Sequence, residues 1–539
     1  MKKLIAISTA AAIAATMSFA SSEDDLRAEL EALKKEVQAL KKQTKGLKVK
    51  RIKKQISELK AAALHDNIKW DVDFRSSLDA INYKLVTGDT VKKHDLIQNR
   101  LWLGMAYAPT QNLTFHGQLA YYKNYGQSQS AEPWTVNGQG FQYYDWFVNE
   151  NPTDGTVKVR EAYFIYFGDK FLGANVPWTA SIGRRPSTNG LLVSYRDDDR
   201  PKSPIGHIIN MEFDGASFKF DLSNVTDVSG MYLKFCFGRG FSNANPHYQF
   251  NALSYATNEN VNPDTDLAGF IFVPYDDGQY SIHTTFFYAW NLMGLTSQQL
   301  GTYGAAAQGY DLALGQPGSP ANPYPTLNPA SQDYFAQLMW VGQTQMGFTN
   351  VGGEYGWAIS GVANGVGDGI NDFLDDTILF ASYAGTKTDP RDQAGLGMLG
   401  TTDSKTGSSI YVGTQFPAVF TDDGRIGLEF NHGSKYWRPF TYGEDTMAGS
   451  KLATRGNAYE AYYTQPLIGK TLSFQVRYTY MDYDYTGSDM FFGATGAPVK
   501  IDDIKANLNN PQWLAQHNIN PNTVVDTAQD LRFYVRYRY

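Results

Sequence analysis

Arginine recurs at alternate positions near the C-terminus, at Arg532, Arg536 and Arg538, with Tyr534 holding the intervening place. In a strand this spacing puts all four on one face, while Leu531, Phe533, Val535, Tyr537 and Tyr539 take the other. Arg100 and Arg477 sit in similar alternating runs, and Asp71, Asp73, Glu429 and Glu460 are candidate opposing charges. Opposed rows of charge along a water-filled passage create a transverse field that selects among permeating ions. The plainer alternative is that such charges pair with one another inside a barrel. Gly183-Arg184-Arg185-Pro186 ends a strand below a long loop that carries Tyr195-Arg196-Asp197-Asp198-Asp199-Arg200. Arg184 and Arg185 are therefore constriction candidates, and the Asp run on its own reads as a solvated turn.

Other chemistries find little support. The eight His are scattered with no HExxH, so no metal site is expected. Asp197–Asp199 and Asp368–Asp372 do not match a calcium-loop spacing. The single cysteine, Cys236, excludes an intrachain disulfide and a haem attachment motif, and reads as inert packing. His432 and Ser434 lie two apart on one strand face, roughly 7 Å from each other, with no orienting acid. No cofactor and no catalysis are expected.

The elements that position these residues alternate with a period of two from Ile68 onward. Trp70, Val72 and Phe74 oppose Asp71, Asp73 and Arg75; Leu472, Phe474, Val476, Tyr478 and Tyr480 oppose Ser473, Gln475, Arg477 and Thr479. Sixteen strands are expected: 68–84, 94–108, 112–125, 157–168, 178–186, 208–222, 230–238, 267–275, 279–291, 340–362, 376–386, 408–419, 424–433, 456–466, 470–483 and 528–539. The range is 14 to 18, with the weak places at 208–222, which Asp214-Gly215 could split, and at 340–375. Short turns and long loops alternate on this list, so they segregate to opposite ends, as in a transmembrane antiparallel β-barrel that is apolar outside and polar inside. The aromatic C-terminal face, Phe533, Val535, Tyr537 and Tyr539, reads as an assembly signal for the barrel-assembly machinery.

Residues 1–20 read as a signal peptide, with Lys2 and Lys3 before an apolar stretch and Ser18-Phe19-Ala20 as cleavage site. Residues 21–65 carry heptad-spaced Leu26, Leu30, Leu33, Val37 and Leu40, a coiled-coil helix that needs a partner helix and is expected to be periplasmic. Residues 66–539 form the barrel. The whole chain has a formal charge of −7; without Lys2 and Lys3 it is −9, and residues 21–64 hold 12 basic and 7 acidic groups, so the remainder is −14. That balance argues against nucleic acid as partner. The basic run Lys41–Lys54 reads as a solvated face, with cell-wall or anionic-lipid contact as the sharper reading.

Three later stretches, Asn431-His-Gly-Ser-Lys-Tyr-Trp437, Ser450 to Glu460 and Arg477 to Ser488, resemble an exported bacterial family known only as a domain of unknown function, with porin-like members that carry an N-terminal coiled coil. The resemblance spans the chain from the helical arm to Tyr539. It implies an outer-membrane barrel and supplies no substrate or cofactor. The expectation is thus a bacterial outer-membrane porin, embedded in lipid and lipopolysaccharide and assembled as a homotrimer. It would pass small hydrophilic solutes or ions, with the 292–339 tract as one candidate inward loop. The alternatives are a sheath around a cytochrome partner, a plugged surface receptor or adhesin, and a barrel lipase.

Overall fold

A computed structural model describes residues 68–126, 157–185, 187–242, 264–296, 349–367, 369–391, 397–488 and 491–539. The signal segment, the coiled-coil arm, the Lys41–Lys54 run and the 292–339 tract beyond Thr296 lie outside them.

Sixteen antiparallel strands close into one barrel. They are β1 (Lys69–Leu85), β2 (Thr90–Thr110), β3 (Leu113–Asn124), β4 (Val157–Gly168), β5 (Trp178–Arg185), β8 (Phe213–Asp221), β9 (Tyr232–Phe241), β10 (Thr265–Asp276), β11 (Tyr280–Gly294), β12 (Thr349–Asn364), β13 (Ile378–Pro390), β14 (Thr406–Pro417), β15 (Arg425–Gly433), β16 (Gly456–Ile468), β17 (Leu472–Tyr483) and β18 (Val525–Arg538). Two short strands, β6 (Gly190–Leu191) and β7 (Lys202–Ile205), pair with each other in the β5–β8 connection. Closure removes every sheet edge, which a lipid environment demands of a backbone that crosses it. The seam is β1 on β18, and Val72 and Tyr539 exchange backbone hydrogen bonds of 2.9 Å beyond the last strand residue.

The dyad pattern sorts the faces. Trp70, Phe74, Tyr478, Leu531, Phe533 and Tyr537 are exposed on the outer surface, while Asp73, Arg75, Arg477, Arg532, Tyr534 and Arg536 are buried on the inner one. The turns at 111–112, 277–279 and 469–471 share one end. The strand ends that lead into 125–156, 186–212, 242–264, 295–348, 391–405, 434–455 and 484–524 share the other, where the short β1–β2 turn at 86–89 also lies. The expected segregation holds.

Strand bounds differ most at two places. The strand expected over 208–222 begins at Phe213, because the preceding residues belong to a loop that turns into the barrel. Asp214-Gly215 does not split it: a Cβ on Gly215 would fall 1.9 Å from the Phe237 carbonyl oxygen, so the glycine permits close strand approach rather than a turn. The strand expected from 340 begins at Thr349 within the described residues.

The interior is packed. Leu192, Val193, Ile208 and Met211 of the 187–212 loop and Trp437 and Phe440 of the 434–455 loop form one buried cluster with wall residues such as Phe287 and Tyr411. The two loops are joined through their backbones. Asn210 N–H donates to the Phe440 carbonyl (2.7 Å), Phe440 N–H to that of Ile208 (3.0 Å), and Gly443 N–H to that of Asn210 (2.7 Å). Burying that apolar surface is what holds two polar loops inside a barrel at all.

Candidate functional site

Strand register sets like charges directly opposite one another on the inner wall. Arg75 of β1 faces Arg536 of β18 on one side and Arg100 of β2 on the other. Arg477 of β17 faces Arg532 of β18, and Glu429 of β15 faces Glu460 of β16. Like charges directly opposite destabilise a sheet by themselves. In this barrel opposite charges from the inward loops meet each pair: Asp445 bridges Arg75 to Arg100 and Arg477 to Arg532, Lys451 bridges the two glutamates, and Arg75 and Arg536 are met separately, by Asp445 and Asp199.

Asp445, on the 434–455 loop, is the hub. Its carboxylate takes a 2.8 Å hydrogen bond from each of Arg75 and Arg532, with Arg100 at 3.9 Å and Arg477 at 4.0 Å. Arg477 also donates to the Asp445 backbone carbonyl at 2.7 Å. Burial pushes the Asp445 carboxyl up, but the surrounding guanidinium groups outweigh it and hold the group well below the usual carboxylate range. Lys451, on the same loop, bridges Glu429 and Glu460. The Tyr411 hydroxyl adds a 2.5 Å bond to Glu429.

The 187–212 loop crosses the lumen and docks against the β14–β18 wall. Gln415 and Gln475 donate to the carbonyls of Tyr195 (2.8 Å) and Arg196 (2.7 Å). Tyr534 donates to Asp197 at 3.0 Å, and Arg536 to Asp199 at 2.8 Å. Arg196 ties three elements together, at 3.4 Å from Glu460 of the wall, 3.6 Å from Glu444 of the other loop and 3.5 Å from Asp197.

Most of the residues singled out from the sequence face inward: Asp73, Arg100, Arg185, Glu429, Arg477, Arg532 and Arg536, with Arg538 at the turn end beside Asp199 (3.1 Å). They do not form opposed rows across an open lumen. Asp73 pairs with its strand neighbours Arg100 (3.3 Å) and Arg536 (2.9 Å), and Arg532 pairs with Asp79. Asp71 is exposed at the turn end, lying over Gly104, and makes no ion pair among the described residues. Arg184 is a correction. It shares the outer face with Ile182 and pairs with Asp214 at 3.3 Å, because adjacent residues of a strand cannot both point inward. The Asp run is a second correction: Asp197 is buried on Tyr534 rather than solvated. The lipase pair is absent, since His432 bonds Asn457 on the outer face and the Ser434 hydroxyl accepts from the Ser408 N–H.

Sequence reasoning missed the 434–455 loop, although two of the stretches that carried the family resemblance flank and overlap it. It also missed His207, whose ring nitrogens lie 2.9 Å from the Ser382 and Ser409 hydroxyls, between the rings of Tyr411 and Trp437. Full burial depresses His207 from 6.5 to about 3. The unfolded chain therefore binds a proton here that the folded one refuses. The stabilisation is complete above about pH 6.5 and falls as the pH drops, by about 1.4 kcal/mol per unit, until the folded value near 3 is reached. In urea unfolding of the detergent-solubilised barrel between pH 7.5 and 4.5, His207→Gln is expected to flatten that decline. An unchanged slope would mean that His207 does not set it.

Among solved structures the chain is similar to OmpT of Vibrio cholerae, an outer membrane protein folded in vitro, at 12% identity and a TM-score of 0.38, over 87% of this chain and 98% of that chain. It is similar to OmpF of Salmonella typhi in complex with daunomycin, at 10% identity and a TM-score of 0.41, over 87% and 98%. It is also similar to OprB of Pseudomonas putida at high pH, at 11% identity and a TM-score of 0.42, over 88% and 94%. No curated protein matches. The expected resemblance to a family of unknown function is upheld over residues 90–539, and the matched region leaves out β1 and residues 21–65, where a helical arm is expected. A family model described as protein of unknown function (DUF3373) matches residues 90–539, and the chain belongs to that family.

Proposed function

We propose that this barrel is an outer-membrane porin for small hydrophilic solutes or ions, with its passage narrowed by the paired 187–212 and 434–455 loops. The carrying observation is that a loop from the long-connection end enters the lumen and docks by side-chain bonds onto an arginine-rich wall. Such a device sets a size limit and places fixed charge beside whatever passes. Because Asp73, Asp199 and Asp445 already neutralise much of the wall arginine, selection belongs to the charges left on the β4–β9 side of the lumen. Assembly as a homotrimer and folding through the barrel-assembly machinery are part of this reading.

The burial of Arg196, Arg477 and Arg532, each no more than 1% exposed, favours a second reading: a lumen closed at rest, with function residing in the external loops. Planar-bilayer recordings of the full chain under a salt gradient separate the two. Discrete steps grouped in threes, with a non-zero reversal potential, support the narrowed porin. A folded, heat-modifiable barrel that stays silent overturns it in favour of the closed lumen.

A further inference from the structure

Among the described residues one like-charge pair on the inner wall meets no opposite charge. Lys219 of β8 stands directly opposite Lys234 of β9 on the inner wall. Among the described residues neither lysine has a carboxylate within ion-pair distance, whereas the arginine pairs on the β15–β2 side have Asp445, Asp73 or Asp199 and the glutamate pair has Lys451. Lys219 rests on the Tyr232 ring, 3.8 Å from its centroid. Lys234 is buried, and its ammonium donates to the Ser203 hydroxyl at 2.6 Å. The groups that act on it include Cys236, two residues on along β9 and on the same cavity, and then Arg185, a third cation, whose guanidinium lies over the Tyr163 ring at 4.7 Å. Burying an ammonium costs several kcal/mol unless an anion meets it.

Among the described residues nothing fills the space beside these groups. A cavity of about 70 Å³ lies beside β8 to β11; most of its lining is apolar, with Phe213, Leu267, Ile271 and Phe287 among it, and Arg185, Lys234, Ser203, Ser217 and Thr285 form its polar part. A water needs only about 10–15 Å³ of such space. The polar part of the lining offers an ammonium, a guanidinium and hydroxyl donors, the set that recognises a tetrahedral oxyanion or a small carboxylate.

We infer that this cavity is a binding site for a small oxyanion, held by Lys234 and Arg185 with Lys219 beside it, which supplies the bridging charge that the inward loops supply elsewhere. The site stands whether or not the barrel conducts, because binding is read without current.

The test uses the full chain in detergent, in a HEPES buffer free of other small anions, with inorganic phosphate and chloride as probes. Calorimetric titration and the melting temperature of the heat-modifiable band are read together. Phosphate is expected to bind saturably and to raise the melting temperature. Lys234→Met is expected to weaken binding at least tenfold and to abolish the thermal gain. Without phosphate, Lys234→Met should melt at or above the wild-type temperature, since it removes one of two facing ammonium groups. Arg185→Gln, which keeps both lysines, should weaken binding as well. Absence of saturable phosphate binding, equal binding of chloride, wild-type binding by Lys234→Met, or a lower melting temperature of that variant in phosphate-free buffer would each overturn the site.

Discussion

Replacing Asp445 with asparagine is expected to destabilise the barrel by about 3–5 kcal/mol and to loosen the plug. The side chain keeps its shape but loses the charge that four guanidinium groups share. Removing one partner of a buried ion pair typically costs that much, because the other partner stays buried without compensation. The wall offers only partial relief. Arg532 retains Asp79, and Arg100 and Arg536 retain Asp73, but Arg75 has only Asp445 within ion-pair distance among the described residues. The loop can hydrate the site only by moving outward at this end. Its other end stays pinned by Lys451 on Glu429 and Glu460, and by Trp437, whose indole donates to the Leu452 carbonyl at 2.7 Å. Urea unfolding should show the loss, and bilayer recordings should show larger or noisier current than the wild type. Unchanged stability would mean that Asp445 is not the counter-charge that holds the arginine rows together.

The fold was largely legible because a barrel writes itself into the chain as local alternation. Leu531 to Tyr539 and Leu472 to Tyr480 each sort their side chains without reference to any neighbour, and the strand count followed from turns such as Asp276–Gly278. The inward direction of Arg100, Arg477, Arg532 and Arg536 was legible for the same reason. Their partners were not. Asp445 lies 370 residues from Arg75, and Asp197 lies 337 from Tyr534. No periodicity records a contact of that kind. The pair Arg184-Arg185 shows the limit from the other side: composition marks both as pore cations, and only the register decides that one of them faces outward.

One signal for the plug was present. The 434–455 segment mixes Trp437, Phe440 and Tyr442 with Arg438, Glu444, Asp445, Lys451 and Arg455, and an external loop in free solvent has little use for buried aromatics alternating with paired charges. Register supplies a second signal once the strands are paired. Arg75 between Arg100 and Arg536, or Glu429 against Glu460, is an arrangement that a sheet tolerates only if something else enters the lumen. The sequence does not show those pairings directly, but the pairings imply the plug before its course is known.

Arg196→Met is expected to be the next most disruptive change, and its cost should depend on pH in the direction opposite to that of His207. The guanidinium is buried beside Glu444, Glu460 and Asp197. Glu460 keeps Lys451 and a 2.7 Å bond from the Thr479 hydroxyl, and Asp197 keeps Tyr534. Glu444 is left worst placed. One of its oxygens takes the Ser450 hydroxyl and the Leu452 N–H, while the other has Arg196 alone nearby. Burial already raises the Glu444 carboxyl above its ordinary 4.5, with Lys451 and Arg196 opposing, so removing Arg196 raises it further. A carboxyl that titrates higher in the folded state contributes stability that is present below its ordinary value and is lost as the pH rises through the folded one. The variant is therefore expected to lose about 3–5 kcal/mol at pH 7.5, and to recover part of that loss as the pH falls toward 4.5, by up to about 1.4 kcal/mol per unit. The difference between variant and wild type at each pH cancels the His207 contribution common to both. Asp445→Asn, which leaves no acid to protonate at the hub, should show no such recovery. A pH-independent deficit in Arg196→Met would separate Glu444 from Arg196 and leave Glu460 as the partner that matters.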